Sequence, residues 1–484
     1  MDNGTAQSRP RNKLLILNLL LAGAFLFNGC LSAAAASTND LASSTPDTRS
    51  SALSDWSQLP AVLNRIKPPT FPNKLFPIIK FGAVAGGSND CTSAIRRAIE
   101  ACHEAGGGKV IVPPGEFLTG AIHLLSNVEL HLEKGATVKF QTNSKAYLPA
   151  VFTRFEGMEC YNYSPLIYAF EQHDIAVTGP GILDGQAGNE NWWEWKGKKV
   201  SKPDRPNQKK ARDRLIKMVE QNIPPEQRRF GEGDFLRPSF IEPNRCRNVL
   251  IQGVIIGGSP MWEIHPLLCT NVIVRGVEII SHGPNNDGCD PESSRDVLIE
   301  GCTFDTGDDC IAIKSGRNND GRRIGLPSEN LVIRHCVMRD GHGGVTIGSE
   351  ISGGCRNVFV ENCRMDSASL DRVLRLKSNA VRGGVIENIF MRNIEVGWVA
   401  DAVLQIDFMY EEGPNGPHKP AVRNVIMEKI TATHTPRVLN VVGFPGAEIS
   451  NVRILNSTFK HVKKTNIVQE ADVKLVNCAI EAAP

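Results

Sequence analysis

Aromatic residues are scarce in this 484-residue chain, at 6% of the sequence. So few large rings argue against a single core built around aromatics and favour many short, repeated turns. Charge of one sign is also missing: 54 Lys and Arg stand against 52 Asp and Glu. A net charge of +2 is too small to imply a nucleic-acid partner, so any anionic ligand must be drawn by local clustering. Zinc-type spacings, Cys-x-x-Cys or His-x-x-x-His, do not occur, which speaks against a structural zinc site. Apart from Leu14 to Phe27 there is no long hydrophobic run, and that one is short for a membrane span.

That run follows Arg9, Arg11 and Lys13 and precedes Ala34-Ala35-Ala36. A basic start, an apolar stretch and a small-residue site predict a signal peptide over 1–36, hence export to the periplasm or beyond the cell. Phe27-Asn28-Gly29-Cys30 is a poor version of a lipoprotein box, so a lipid anchor on Cys30 is the alternative. Residues rich in Ser, Thr and Asp follow, and 37–70 is expected to be a flexible linker to a domain over 71–484.

From residue 248 onward a short phrase recurs: a polar residue, an alternating apolar strand, then a small or apolar residue six positions on. It starts at Asn248, Asn271, Asp296, Asn330, Asn357, Asn388, Asn424, Asn451 and Asp472, in steps of 21 to 36 residues. Period-2 strands at this interval, almost without helix between them, predict an all-β fold, a right-handed parallel β-helix. One coil cannot bury its apolar face, so stacked neighbours must supply the core. Cys302, Cys336, Cys363 and Cys478 fall in the column that holds Val254, Val277, Ile394 and Ile430 elsewhere. They are expected to be buried apolar residues rather than a disulfide framework. The leading Asn residues are expected to form a side-chain ladder. Asn89 to Gly106 has helical period and should cap the open end of the solenoid, while 187–245 interrupts the repeat as a loop insertion. That insertion holds Trp192, Trp193 and Trp195, followed by ten Lys or Arg against two Asp between Lys196 and Lys217.

A second strand registers in the same coils. Ile311/Ile313, Val345/Ile347, Leu374/Leu376, Leu404/Ile406 and Leu439/Val441 should point inward, leaving Ala312, Thr346, Arg375, Gln405 and Asn440 outward. Lys314, Gly348, Lys377 and Asp407 form the next outward column, to which His265 is also assigned as a candidate substrate contact. Asp308 lies 12 residues after Asp296 and His342 lies 12 after Asn330, so the two should share a column in adjacent coils. Asp287 precedes Asp308 by 21 residues, about one coil. Spacing thus gathers Asp287, Asp308, Asp309, His342, Arg375 and Lys377 on one face. A lone Asp-rich turn is usually structural. Three carboxylates crowded with one His and two cations should instead raise a carboxyl pKa, as acid–base glycoside hydrolysis requires.

Four segments carry a family resemblance: Asn285-Asn286-Asp287, Gly307-Asp308-Asp309, Gly341-His342-Gly343 and Arg375-Leu376-Lys377. In this order they resemble the motifs of the polygalacturonases, the family 28 glycoside hydrolases, over roughly residues 75 to 480. One departure is Asn286 where the family pattern has Thr; local hydrogen bonding should change more than chemistry. The resemblance implies cleavage of α-1,4-linked galacturonate by inverting hydrolysis with no metal and no cofactor. It implies Asp308 as general acid, Asp309 and Asp287 as activators of water, and His342 as tuner of Asp308. Carboxyl groups roughly 6.5–9.5 Å apart would leave room for that water. Arg375 and Lys377, with Asn285, Lys314 and His265 beside them, are the expected substrate contacts. The full motif set favours homogalacturonan over rhamnogalacturonan. The long insertion favours exo attack by a monomer, with endo attack as the alternative. A pectate lyase and a non-catalytic β-helix adhesin are the competing readings, and neither needs the Asp-Asp pair.

Overall fold

The computed structural model describes residues 56–197 and 206–483. The signal peptide, Cys30 and the first part of the expected linker lie outside the described residues.

The chain winds as a parallel solenoid in which each strand pairs with its counterpart one coil on. Strand Arg247–Gln252 pairs in register with Thr270–Arg275, which pairs with Arg295–Glu300 and then Ser328–Arg334. The interior is one apolar column after another, and the Cys positions join it: Cys363 registers with Ile394, and Ile394 with Ile430. All twelve described cysteines are free thiols, eleven of them buried. Helix α2, Thr92–Glu104, covers the N-terminal opening with Ala94, Ile95, Ala98, Ile99 and Cys102, where apolar ends would otherwise meet water. Regular coils begin earlier than the repeat phrase indicates, with Gly108–Val112 paired to Val128–Leu132.

The leading Asn residues turn the chain and bridge the coils. Asn357 donates to Asn330 at 3.1 Å, Asn388 to Asn357 at 3.1 Å and Asn424 to Asn388 at 2.7 Å. Each has φ between +56 and +59, the left-handed region that Asn tolerates better than most residues.

Residues 56–70 are not a linker. Helix α1, Leu59–Arg65, lays Leu59 and Val62 on an outward column of Leu250, Ile273, Leu298, Val332, Phe359, Phe390 and Ile426. That column sits at the centre of each repeat phrase, and its apolar side chains need a cover. Asn271 pins the return of the chain by accepting from the Lys67 N–H at 2.9 Å and donating to its carbonyl at 2.7 Å.

Neither is the insertion a free loop. Helix α3, Lys209–Glu220, buries Ala211, Leu215 and Val219 against Phe155, Met158 and Cys160 of the antiparallel hairpin Val151–Asn162 and against Met261 and Trp262. Trp192 is buried among Tyr147, Tyr163 and Trp195. Deleting residues 192–217 would therefore uncover core.

Candidate active site

Ile311–Ile313, Val345–Ile347, Arg372–Lys377, Ala402–Asp407, Arg437–Val442 and Ile467–Gln469 form a six-stranded parallel sheet. Single bridges extend the same register backwards, from Ile311 to Cys289, Ile264 and Ile241. Ile311, Val345, Leu374, Leu404 and Leu439 point into the core, and Thr346, Arg375, Gln405 and Asn440 register on the opposite face.

The carboxylates sit at the entry to these strands. Glu263 N donates to the Asp287 carbonyl and Gly288 N to the Asp309 carbonyl, which sets Asp287 and Asp309 side by side in adjacent coils. His342 N donates to the Asp308 carbonyl at 3.0 Å, and His342 Nδ1 meets Asp308 Oδ1 at 2.9 Å. The glycines beside His342 are required by close approach. A Cβ on Gly343 would lie 2.4 Å from Thr346 Oγ1, and one on Gly341 would lie 2.7 Å from the Asp308 carbonyl. Asn286, the departure from the family pattern, is fully buried and holds the turn. Its Oδ1 accepts from Ser281 Oγ at 2.8 Å and Gly283 N at 2.7 Å, and its Nδ2 donates to the Ser259 and Met261 carbonyls.

Asp287, Asp308 and Asp309 each present an oxygen within 4.8 Å of the others. A single water can reach all three, since oxygens no more than 4.8 Å apart lie within about 2.8 Å of a common point.

Electrostatics divide the three. Burial raises the Asp309 carboxyl, but Lys377 at 2.8 Å and Arg375 at 3.3 Å overcome it, helped by Thr346 at 2.7 Å. Asp309 is held far below the usual carboxylate range and stays ionised. Burial also opposes ionisation of Asp308, but the His342 hydrogen bond wins and lowers it. The same hydrogen bond raises His342, against its burial. Asp287 goes the other way: burial and then the Asp308 charge push it up to about 7, with Lys314 pulling back. Among the three, crowding thus raises Asp287, which holds a proton near neutrality; Asp290 is raised as well, by burial and then by the Asp287 charge.

Lys314 is buried, 3.5 Å from Asp287, 3.4 Å from Asp290 and 3.5 Å from Glu350, with Trp262 at 4.5 Å to the ring centre. Asn285 accepts from Arg237 Nη2 at 2.8 Å. His265 is corrected in both register and exposure. Leu267, Glu292 and Lys314 share a column, which sets His265 two positions earlier, level with Asp290 and Ala312. It is fully buried between Glu242 at 3.2 Å and Glu292 at 2.9 Å, so it clamps coils and does not reach the groove.

Sequence reasoning missed Arg237, which reaches from the insertion to the Pro260 and Pro284 carbonyls and Asn285. It also missed Asp290, Glu350 and Thr346. Thr346 and Asp290 were detectable, since both stand in outward positions of coils that carry site residues. Beyond the far ends of the strands stands a wall. Arg317 meets Glu350 at 3.4 Å, Glu156 at the hairpin tip at 3.3 Å and Glu411 at 3.5 Å, and Arg212 of α3 meets Glu156 at 2.6 Å.

Fold and carboxylate cluster together define a class, the parallel β-helix glycoside hydrolases. Residues 232–479 match the model of glycosyl hydrolases family 28, and the chain belongs to that family. It is similar to the crystal structure of a hyperthermoactive exopolygalacturonase from Thermotoga maritima. Identity is 44% and the TM-score is 0.85, over 88% of this chain and 96% of that one. An exo-poly-α-D-galacturonosidase from Dickeya chrysanthemi is 26% identical, over 84% of this chain and 70% of its own length. An endo-polygalacturonase from Pectobacterium carotovorum is 29% identical, over 68% of this chain and 75% of its own length.

Proposed function

We propose that this glycosidase hydrolyses α-1,4-linked galacturonate from chain ends, without a metal, with inversion. The observation that carries the reading is the triangle of Asp287, Asp308 and Asp309, backed by Lys377, Arg375 and Lys314 and bounded on one side by the wall at Arg317.

Exposure separates the roles. Asp308 and His342 keep 19% and 53% of their side chains open, whereas Asp287 and Asp309 are 4% and 0% open. Asp308 is therefore the carboxyl that meets the leaving oxygen, and the deeper pair flanks the water. Asp309, ionised throughout, accepts a proton from that water. Catalysis needs the cluster's proton on Asp308, while the free enzyme keeps it on Asp287. A sugar ring laid over Asp308 removes its solvent and raises its proton affinity, and the two carboxyls are close enough to exchange through the bound water. Asp287, then ionised, shares the water with Asp309.

Arg375 and Lys377 are assigned to the uronate carboxylate, and Lys314 and Asn285 to the same sugar's surroundings; cations suit an anionic substrate. Exo attack is supported by the wall of hairpin, α3, Arg317 and the 408–420 loop. Helices among the described residues are too short or too polar to cross a membrane. Export remains the reading of the leader sequence. The test is the anomer released from reduced oligogalacturonates, followed by NMR. Initial release of the β-anomer supports inversion, and initial α-anomer defeats it.

A further inference from the structure

A stack of rings stands on the rim of the six-stranded sheet, away from the carboxylates. Trp398 ends the strand Val385–Trp398 and registers with His434 one coil on. Their rings lie 4.5 Å apart and 8° from parallel, and His461 continues the stack at 4.2 Å and 9°. Aromatic stacks inside a solenoid serve the core, but this one lies open. Trp398 is 43% exposed and His461 is exposed. Beside it lies a recess of about 260 Å³, also lined by Thr435, Pro436, Lys463 and Ala483. No acidic side chain lines the recess, and Lys463 forms no ion pair among the described residues. The histidine ring is fixed: His461 Nδ1 donates to the Thr433 carbonyl at 2.8 Å.

The stack lies on the His342 side of the groove. Asp371 N donates to the Gly341 carbonyl at 2.9 Å and Ala400 N to the Leu370 carbonyl at 2.8 Å. The turn after Trp398 is thus two coils on from His342 along one rim, about 10 Å at the usual strand spacing. The Lys463 coil follows in the same direction, with Lys463 N on the Pro436 carbonyl at 3.0 Å.

We propose that this recess is a distal platform for the anionic polysaccharide, with a uronate lying along the edges of the ring stack and its carboxylate at Lys463. The proposal rests on the galacturonan reading above. The edges of stacked rings carry partial positive charge, which suits the hydroxyl and carboxylate oxygens of a uronate. The ammonium of Lys463 supplies selection for an acidic sugar over a neutral one. A chain held at both places rebinds the catalytic groove at a raised effective concentration, an advantage that short substrates cannot share.

The test places Trp398→Ala and Lys463→Glu, separately, in the intact chain. Binding is read by electrophoretic retardation in gels containing polygalacturonate or neutral galactan, with Asp308→Asn present in every protein to stop hydrolysis. Turnover of trigalacturonate is read with Asp308 restored. Each variant is expected to weaken polygalacturonate binding by a few-fold, about 2–5-fold for the loss of an exposed ion pair at Lys463. Trimer turnover and melting temperature should stay unchanged, and galactan should retard none of the proteins. Retardation by polygalacturonate equal to that of the parent in both variants overturns the platform, as does equal retardation by galactan. Should Trp398→Ala lower the melting temperature, the exposed Lys463→Glu decides alone. Failure of the parent to turn over trigalacturonate defeats the substrate reading, and the gel comparison still decides the platform.

Discussion

Two polar columns run along this solenoid, and they behave in opposite ways. From Asn330 to Asn451 the Asn column repeats one residue coil after coil, each amide giving to one neighbour and taking from the next, as Asn388 does between Asn357 and Asn424. The column through Asp287 and Asp309 instead sets two carboxylates in adjacent coils and, with Asp308, brings like charges within 4.8 Å. A neutral ladder satisfies itself and costs little. A buried acidic cluster is stable only through the cations and the histidine that surround it, and one of its members must give up its charge. Where the repeat is kept, the side chains hold the fold; where it is broken, they carry chemistry.

The sharpest way to break that contrast is on the acidic side. Asp308→Asn and Asp309→Asn should each lower kcat by about 10²–10⁴-fold while circular dichroism stays that of the parent. Retention of more than about a tenth of the activity in either folded variant would remove that residue from the reaction. The two should differ in stability. Asn at 309 leaves Lys377 buried without its carboxylate, at a cost of about 3–5 kcal/mol, whereas the partly open Asp308, whose partner His342 faces solvent, costs less. Because the Asp309 pKa is depressed, its contribution is complete above the ordinary carboxylate range and is lost as pH falls towards the folded value. Denaturation of Asp309→Asn should accordingly lose part of the parent's acid sensitivity.

A pH profile sharpens the contrast next. With Asp287 titrating at about 7, the three-Asp cluster of the free enzyme loses that proton above this pH, and kcat/KM should fall on the alkaline side there. Lys314 lowers Asp287, so Lys314→Met should move this limb to higher pH. An unmoved limb would place the proton elsewhere. The smallest effect belongs to the neutral ladder. Asn357→Ala should cost about 1–2 kcal/mol, from lost hydrogen bonds and from a left-handed φ that Asn tolerates better than Ala, with kinetic constants unchanged. Changed kinetics would mean that the two columns are coupled.

What could be read in the sequence follows the same division. Coils, cap and inward columns were legible because period-2 patterning repeats, and Asp308 beside His342 followed from a shared offset to the repeat phrase. His265 was misplaced because the coil before Asp287 lacks a regular strand in this sheet and is held only by single bridges, so counting back from Lys314 slips two positions. Helix α1 was hidden in a polar, proline-flanked stretch, although the apolar column it covers lay at the centre of every repeat phrase. Arg237 could not be placed, since an insertion has no register to count from.

The central claim is that the Asp287, Asp308 and Asp309 cluster hydrolyses galacturonan from a chain end closed by the Arg317 wall. Its most direct test is a size-resolved time course of products from polygalacturonate. The account predicts saturated galacturonate monomer or dimer as the only short product from the first time point, absent with Asp308→Asn. An early ladder of oligomers would contradict the end-on reading, and unsaturated products would contradict hydrolysis itself.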